Sequence, residues 1–247
     1  MRIKILLATI FCLLSCLVFG QASPYKKIAD SLEKRLPFAK NDTSKVKLLN
    51  NASMNFAYTY ENEKSFRYAS EALALARRLK WKKGIVHAYK HIGLSYEIQS
   101  DQKTANEYVL KAFNVALETN DNLLKGEMYE AMGVSQWNIN LEVSMKYFDK
   151  AMKFYKAAGY IAGYNSVLLQ KGGTYSNQGK YYEAADCFRE VMKNGEKAKD
   201  TGQAITGSNY LAGVYSELGN DVKALEYYLK ALDLLERLKN EGVFTAL

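Results

Sequence analysis

Histidine, cysteine and a glycine-bounded lysine are the residue types of this chain whose spacing can be tested for chemistry. His87 and His91 stand four apart, so one helix face would present both imidazoles to a single metal ion. Glu97 lies six residues beyond His91, off that face, and supplies no third ligand, so no metal site is expected. Cys187 has no histidine near it in sequence to draw off its proton. Gly173-Thr174-Tyr175-Ser176-Asn177-Gln178-Gly179-Lys180 has the outline of a phosphate loop. However, five residues separate its glycines instead of four, and Tyr181 stands where Ser or Thr would hold magnesium. No nucleophile, base and oxyanion donor fall into one constellation, so neither a catalytic residue nor a cofactor is expected, and the chain is not read as an enzyme. The densest basic run, Arg77-Arg78-Leu79-Lys80-Trp81-Lys82-Lys83, would suit an anionic lipid or sugar phosphate only weakly. Its place between two helical segments favours ordinary solvated charge.

The elements that would carry these residues are helices. The chain has 247 residues, of which 48% are hydrophobic and 24% charged, an ordinary globular composition that excludes a disordered or low-complexity architecture. Only 2 prolines interrupt it, so long helices can run unbroken. With 2 His and 3 Cys, a multi-zinc protein or a disulfide scaffold is excluded. The formal charge of +8 bears on solubility rather than on fold.

Arg2 and Lys4 precede an apolar run, Ile5 to Phe19, which ends in Gly20-Gln21-Ala22. That layout predicts a cleavable signal peptide over residues 1–22, too short in its apolar part for a spanning helix. The protein is therefore expected to be exported, periplasmic or at the cell envelope, where nucleic acid is not a partner. Leu13-Leu14-Ser15-Cys16 partly resembles a lipoprotein signal, with Cys16 as the alternative, lipidated N-terminus. Residues 23–45 read as a leading helix and linker: Ile28, Leu32 and Leu36 have helical spacing, Pro37 stops that helix, and Asn41-Asp42-Thr43 starts the next.

Beyond it the chain repeats itself. Ser53, Gly93, Gly133, Gly172 and Ala212 recur at separations of 40, 40, 39 and 40 residues. Three residues after each come Phe56, Tyr96, Gln136, Tyr175 and Tyr215. A second small position recurs as Ser65, Ala105, Ser144, Ala184 and Ala224, and a large one four further on as Ala69, Val109, Phe148, Phe188 and Tyr228. Three beyond those stand Ala72, Ala112, Ala151, Val191 and Ala231. Small residues on two successive helices would let the backbones approach, with a ring filling the gap one turn away. Ser100, Asn140, Gly179 and Gly219 suit the intervening turns, and Asp101 and Asp221 suit N-caps. Each unit is then a helical hairpin that must stack on its neighbours to bury its apolar face. The units fall at about 46–80, 83–120, 124–158, 161–199 and 202–240.

This series, fullest in Gly172-Gly173-Thr174-Tyr175 through Gly179, Tyr181, Ala184 and Phe188, resembles the tetratricopeptide repeat family in a variant of long period. Gln136, where an aromatic belongs, and Lys171, where an apolar residue belongs, are departures. The resemblance implies an all-α, right-handed α-solenoid of about five hairpins whose first helices line a concave, partner-binding groove. Carried over position by position, the groove holds Lys47, Asn50 and Met54, then His87, Lys90, Leu94 and Glu97, then Glu127, Glu130, Val134 and Trp137. Ser166, Leu169, Ser176, Thr206, Asn209 and Ser216 follow. Met54 and Leu94 stand at asparagine positions of the family's peptide-carboxylate clamp, so that clamp is not expected. Trp137 is either the groove's aromatic anchor or, because Gln136 vacates the core position beside it, a core residue.

Glu241-Gly242-Val243-Phe244-Thr245-Ala246-Leu247 reads as the start of an incomplete sixth unit. The layout also resembles the exported N-terminal repeat domain of bacterial sensors of the Bacteroidetes type. The expected function is a non-enzymatic protein- or peptide-binding module, either sensory or a free-standing adaptor that assembles envelope proteins. The oligomeric state and the ligand are not encoded in any of these patterns.

Overall fold

The computed structural model describes residues 24–240; the signal segment 1–22 with Cys16, and the sixth-unit start 241–247, lie outside them. Among the described residues the chain is all-α: α1 (Pro24–Arg35), a 3₁₀ turn (Leu36–Phe38), α2 (Thr43–Tyr58), α3 (Asn62–Arg78), α4 (Lys82–Ile98), α5 (Gln102–Leu117), α6 (Asn122–Gln136), α7 (Leu141–Ala157), α8 (Ile161–Asn177), α9 (Tyr181–Ala198), α10 (Thr201–Glu217) and α11 (Asp221–Asn240). They form five helical hairpins in two compact units, one running up to Thr119 and the other starting at Asn120. In the first unit α1 packs on α2, and α4 packs on both α2 and α3. In the second, α8 packs on α7 and α10 on α9.

Helix starts follow side-chain oxygens that satisfy the free N–H groups of a first turn. Asp42, Asp101, Asp121, Asn140 and Asp200 each accept from backbone two or three residues on. Asp101 caps as its sequence position suggests. At the last helix the cap is Asn220, whose Oδ1 accepts from Lys223 N at 3.1 Å, and Asp221 is already helical. Ser100, Gly179 and Gly219 adopt the left-handed conformation at the turns. Asn140 does not: its backbone is extended, at φ −149°, because the shortened third turn uses it as a cap instead. Leu32 of α1 and Leu36 of the 3₁₀ turn are buried, but Ile28 is 48% exposed and Ala29 takes the inward place.

The repeat positions form the core. Gly93, Gly133 and Gly172 are buried, as are Ala105, Ala184 and Ala224. Their geometry differs from simple backbone approach. A Cβ on Gly133 would lie 2.5 Å from the Phe148 ring, and one on Gly172 2.5 Å from the Phe188 ring. The large residue of the second helix therefore lies directly on the missing side chain of the first. At Gly93 the nearest atom is instead the Ala105 carbonyl oxygen, at 3.2 Å. Serine serves the same purpose in the first hairpin, where the Ser53 hydroxyl donates to the Ser65 carbonyl at 2.8 Å. In the third, Ser144 donates to Gly133 O at 2.7 Å. Tyr228, the fifth large residue, is 49% exposed.

The aromatic three residues after each small one also has a constant partner. Phe56 stacks on Tyr68, Tyr96 on Tyr108 and Tyr215 on Tyr227, with centroids 5.6, 5.6 and 5.5 Å apart. The matching pairs in the third and fourth hairpins are Gln136 with Tyr147 and Tyr175 with Cys187. Each has lost one ring.

Adjacent glycines on α8 separate packing from propensity. Gly172→Ala drives a methyl into the buried Phe188 ring and is expected to destabilise by about 1–3 kcal/mol. Gly173, whose Cβ would meet nothing within 4 Å, is expected to gain about 0.5–1 kcal/mol on substitution by Ala. Urea unfolding of the two variants checks the opposite signs.

Candidate functional site

In the first unit the first helices α2 and α4 lie side by side and enclose a concave pocket of about 250 Å³. It is lined by Lys47, Asn50 and Asn51 of α2, by Trp81 and Lys83 at the start of α4, and by His87 and His91 one and two turns on. Of the residues expected in the groove, Lys47, Asn50 and His87 are brought together here. Met54 and Lys90 are half-buried outside the pocket, and Glu97 is exposed beyond it.

Gly84 makes the pocket's wall. A Cβ there would sit 2.4 Å from Trp81 Cε3 and 2.9 Å from Val46 Cγ1, so the glycine lets the indole lie against α4. The same device recurs at Gly163, where a Cβ would lie 2.6 Å from the Tyr160 ring. The Lys47 ammonium stands 6.0 Å from the Trp81 ring centroid. Asn50 is buried, at 5% exposure; its Nδ2 donates to the Gly84 carbonyl over a long 3.5 Å, and its Oδ1 has no hydrogen-bond donor.

His91 is buried, and burial, with smaller contributions from the Lys90 and His87 charges, pushes its pKa down to about 3. Its imidazole is thus neutral at physiological pH and adds polarity without charge. The pair His87 and His91 shares the wall, yet among the described residues no group of three or more His, Cys, Asp or Glu is gathered where it could hold an ion.

The basic run around it is divided among several tasks. Arg77 donates to the Tyr89 hydroxyl, Lys82 pairs with Glu118 at 3.2 Å, and Trp81 and Lys83 enter the pocket.

In the second unit Glu130, assigned from the sequence to the groove, has its carboxylate occupied. Tyr155 Oη donates to Oε2 at 2.5 Å, and Ser166 Oγ and Gln170 Nε2 donate to Oε1 at 2.8 and 2.6 Å. Burial, reinforced by Glu130, holds the Tyr155 hydroxyl far above the ordinary phenol range. Glu130 is a tie between α6, α7 and α8. Glu127 is half-buried on the same helix. Trp137 caps α6 and meets the buried Phe148 ring edge-on, at 6.4 Å and 87°, so at least one face of it belongs to the hairpin. Cys187 is half-buried, and burial raises its thiol pKa to about 11, which disfavours the nucleophilic thiolate. Gly173 to Lys180 forms the end of α8 and its turn, a helix–turn–helix and not a phosphate loop.

Sequence reasoning missed Trp81, Lys83, Asn51 and His91 as groove residues. The signal was available in the spacing Trp81-x-x-Gly84, repeated as Tyr160-x-x-Gly163.

Comparison with known proteins places this arrangement. Residues 164–237 match the sequence pattern described as tetratricopeptide repeat. No curated protein matches the chain. Among solved structures, BtubC (BKLC) from P. vanneervenii superposes with a TM-score of 0.72 at 14% identity, over 88% of this chain and 93% of that one. A Rap protein complexed with Competence and Sporulation Factor gives 0.63 at 14% identity, over 84% and 68%. A kinesin light chain from Podosopora anserina with TPR-like repeats gives 0.61 at 10% identity, over 81% and 98%. These likenesses define the fold class, an α-solenoid of helical hairpins. Within that fold, residues 164–237 carry the tetratricopeptide repeat pattern.

Two measurements follow from the geometry. An unfolded His91 takes up a proton near pH 6.5, whereas the folded one resists until about pH 3. Its contribution to stability is complete above about pH 6.5 and is lost as pH falls toward 3, with a slope of up to about 1.4 kcal/mol per pH unit. Urea midpoints between pH 7 and 5 are expected to fall in the parent and to flatten in His91→Gln; equal slopes would refute the burial argument. Trp137→Ala is expected to keep its helicity by circular dichroism while losing about 1–2 kcal/mol in thermal unfolding, from the lost contact with Phe148.

Proposed function

We propose that this chain is a non-enzymatic module that binds a protein or peptide along the first-helix faces of its hairpins. Its setting is the cell envelope, as the sensory part of a signal-transduction protein. The observation that carries the reading is the pocket itself. Its lining comes from two successive hairpins, so an extended ligand laid across α2 and α4 would touch both at once. Support comes also from the fold, since one solved neighbour is a Rap protein complexed with Competence and Sporulation Factor. The envelope setting rests on the basic and apolar segment of residues 1–22. Ligand occupancy on this reading biases a signalling state. A free-standing adaptor is the second reading, favoured by the contrast between the lysine-lined pocket of one unit and the half-buried Glu127 of the other, which would suit two different partners.

A photo-crosslinking residue placed at Asn51, on the pocket rim, and separately at Tyr182, 74% exposed on a second helix, tests the binding face in native cells. Adducts from position 51 and none from 182 are expected, in the envelope fraction. Equal adducts from both sites would refute a first-helix binding face, and a cytoplasmic band would refute the setting. The sensory reading expects the membrane-bound form to run far heavier than 27.9 kDa. A soluble envelope band at or just below that mass supports the adaptor.

A further inference from the structure

Within each unit a second helix is covered by the first helix that follows it, as α3 is by α4, α7 by α8 and α9 by α10. On α9 the covered face carries Ala185, Phe188, Met192 and Gly195, all buried. One period of 40 residues on, the same face of α11 carries Leu225, Tyr228, Leu232 and Leu235, and there it is exposed. With Val222 and Leu229 these side chains form a continuous apolar stripe, each between 43 and 80% exposed. At 100° and 1.5 Å per residue the stripe is about 140° wide and about 20 Å long. Along one edge lie Ala224 and Ala231, which are buried. Along the other run charges that are already paired, Lys230 with Glu196 at 2.6 Å and Asp233 with Arg237 at 2.7 Å. A contiguous apolar stripe rimmed by charge marks an interface.

The chain's own continuation is poorly matched to that place. At the covered junctions inside the units, either the residue equivalent to Leu235 or its counterpart on the next first helix is small: Ala76 with Gly84, Tyr155 with Gly163, Gly195 with Gln203. The packing requires it. A Cβ on Gly163 would lie 2.7 Å from the Tyr155 ring, and one on Gly195 2.9 Å from the Gln203 carbonyl carbon. By the same spacing Leu235 would face Val243, and neither is small. The stripe instead matches itself. Its residues pair off about one midpoint, between Tyr228 and Leu229: Val222 with Leu235, Leu225 with Leu232, and Tyr228 with Leu229. A two-fold axis through that midpoint would set an antiparallel copy of α11 with each residue opposite its mate. An isologous contact needs this reciprocity, in which residue i meets j and j meets i.

We propose that two copies of this chain associate through α11, antiparallel about a two-fold axis between Tyr228 and Leu229. The contact is independent of what the concave face binds. Its centre is leucine-rich, with tyrosine near the axis, and holds no charge. Asp221 and Glu236 bound the stripe and obey the same pairing, so carboxylates of the two copies meet at both ends. Both are exposed, so salt screens their repulsion and tightens the dimer. One helix from each copy buries less than the ~800 Å² per partner of a standard complex, so a micromolar dimer is expected.

Sedimentation equilibrium of the full chain up to about 1 mM tests this. A monomer–dimer equilibrium is expected, tighter in high salt than in low. Leu225→Glu and Leu232→Glu, at exposed positions, are expected to keep their helicity by circular dichroism. Each is expected to weaken the dimer at least about tenfold, because its charge enters the interface twice. Tyr182→Glu, on the exposed side of α9, is expected to change nothing. Glu236→Lys sets an ammonium against the partner subunit's Asp221 and is expected to tighten the dimer about threefold. A dimer that ignores Leu232→Glu forms elsewhere, and one that Glu236→Lys fails to tighten is not antiparallel about this axis; either result overturns the proposal. A chain that stays monomeric overturns it too, because α11 then belongs to another occupant. Loss of the dimer on deleting residues 241–247 overturns it by giving the contact to that segment. The position 51 crosslinks test the binding face separately and do not depend on any of these results.

Discussion

A ring lying on a helix where a side chain is missing is the contact on which the rest of this structure depends. Phe148 lies on Gly133, Phe188 on Gly172, and the single Tyr155 ring lies 2.7 Å from where a Cβ would stand on both Gly126 and Gly163. Each such pair removes most of an aromatic side chain from water, the largest apolar burial one residue can provide. It works only at one register, because a glycine displaced by one residue turns by about 100° around its helix. The contact therefore sets the phase of each hairpin as well as its stability. Where glycine also faces backbone, as at Gly207, whose Cβ would lie 2.5 Å from Met192 N, the second helix of one hairpin meets the first helix of the next at close range.

The candidate site follows from the same device used at a hairpin's start. Gly84 admits Trp81 to the surface of α4, and that indole, packed against the first unit's core, also walls the pocket. Polar groups gather in front of it because the first-helix face has no covering helix. Tyr155 shows how closely core and face are joined. Its ring is buried between two glycines while its hydroxyl reaches Glu130, which also accepts from Ser166 and Gln170 of the next hairpin. In the second unit acidic charge on the first-helix face is thus bound into the scaffold. In the first unit the Lys47 ammonium stands over the Trp81 ring instead.

The period, the hairpin and the small positions were legible because each is written five times. What escaped was anything decided by a single neighbour. Ile28 and Ala29 are adjacent on α1, and the helical spacing alone selected the larger residue; α1 has only α2 and the 3₁₀ turn to pack against, so its buried stripe is narrow enough for alanine. Asn220 displaced Asp221 as a cap because a one-residue shift at a turn costs the sequence pattern nothing. The stacking partners Tyr68, Tyr108 and Tyr227 recur as regularly as the glycines. They were passed over because they neighbour a position already assigned to the core. Trp81 was hidden inside a basic run, where charge drew attention away from the glycine three residues on.

Exposure and burial of polar groups then separate the scaffold from the candidate face. Ser53, Ser65, Ser95 and Ser144 are wholly buried, and each has a hydroxyl partner or a carbonyl within hydrogen-bonding distance. Such satisfied pairs lock adjacent helices and ask nothing of a ligand. Asn50 and His91 are buried to a similar degree but differ in kind: one keeps an acceptor without a donor, and the other keeps a ring too desolvated to charge. Both border the same pocket. A core under selection for stability alone would fill those positions with leucine, which packs the same volume without desolvating a polar atom. Their presence in the wall of one pocket is the physical distinction between this face and the serine-lined seams that hold the hairpins together.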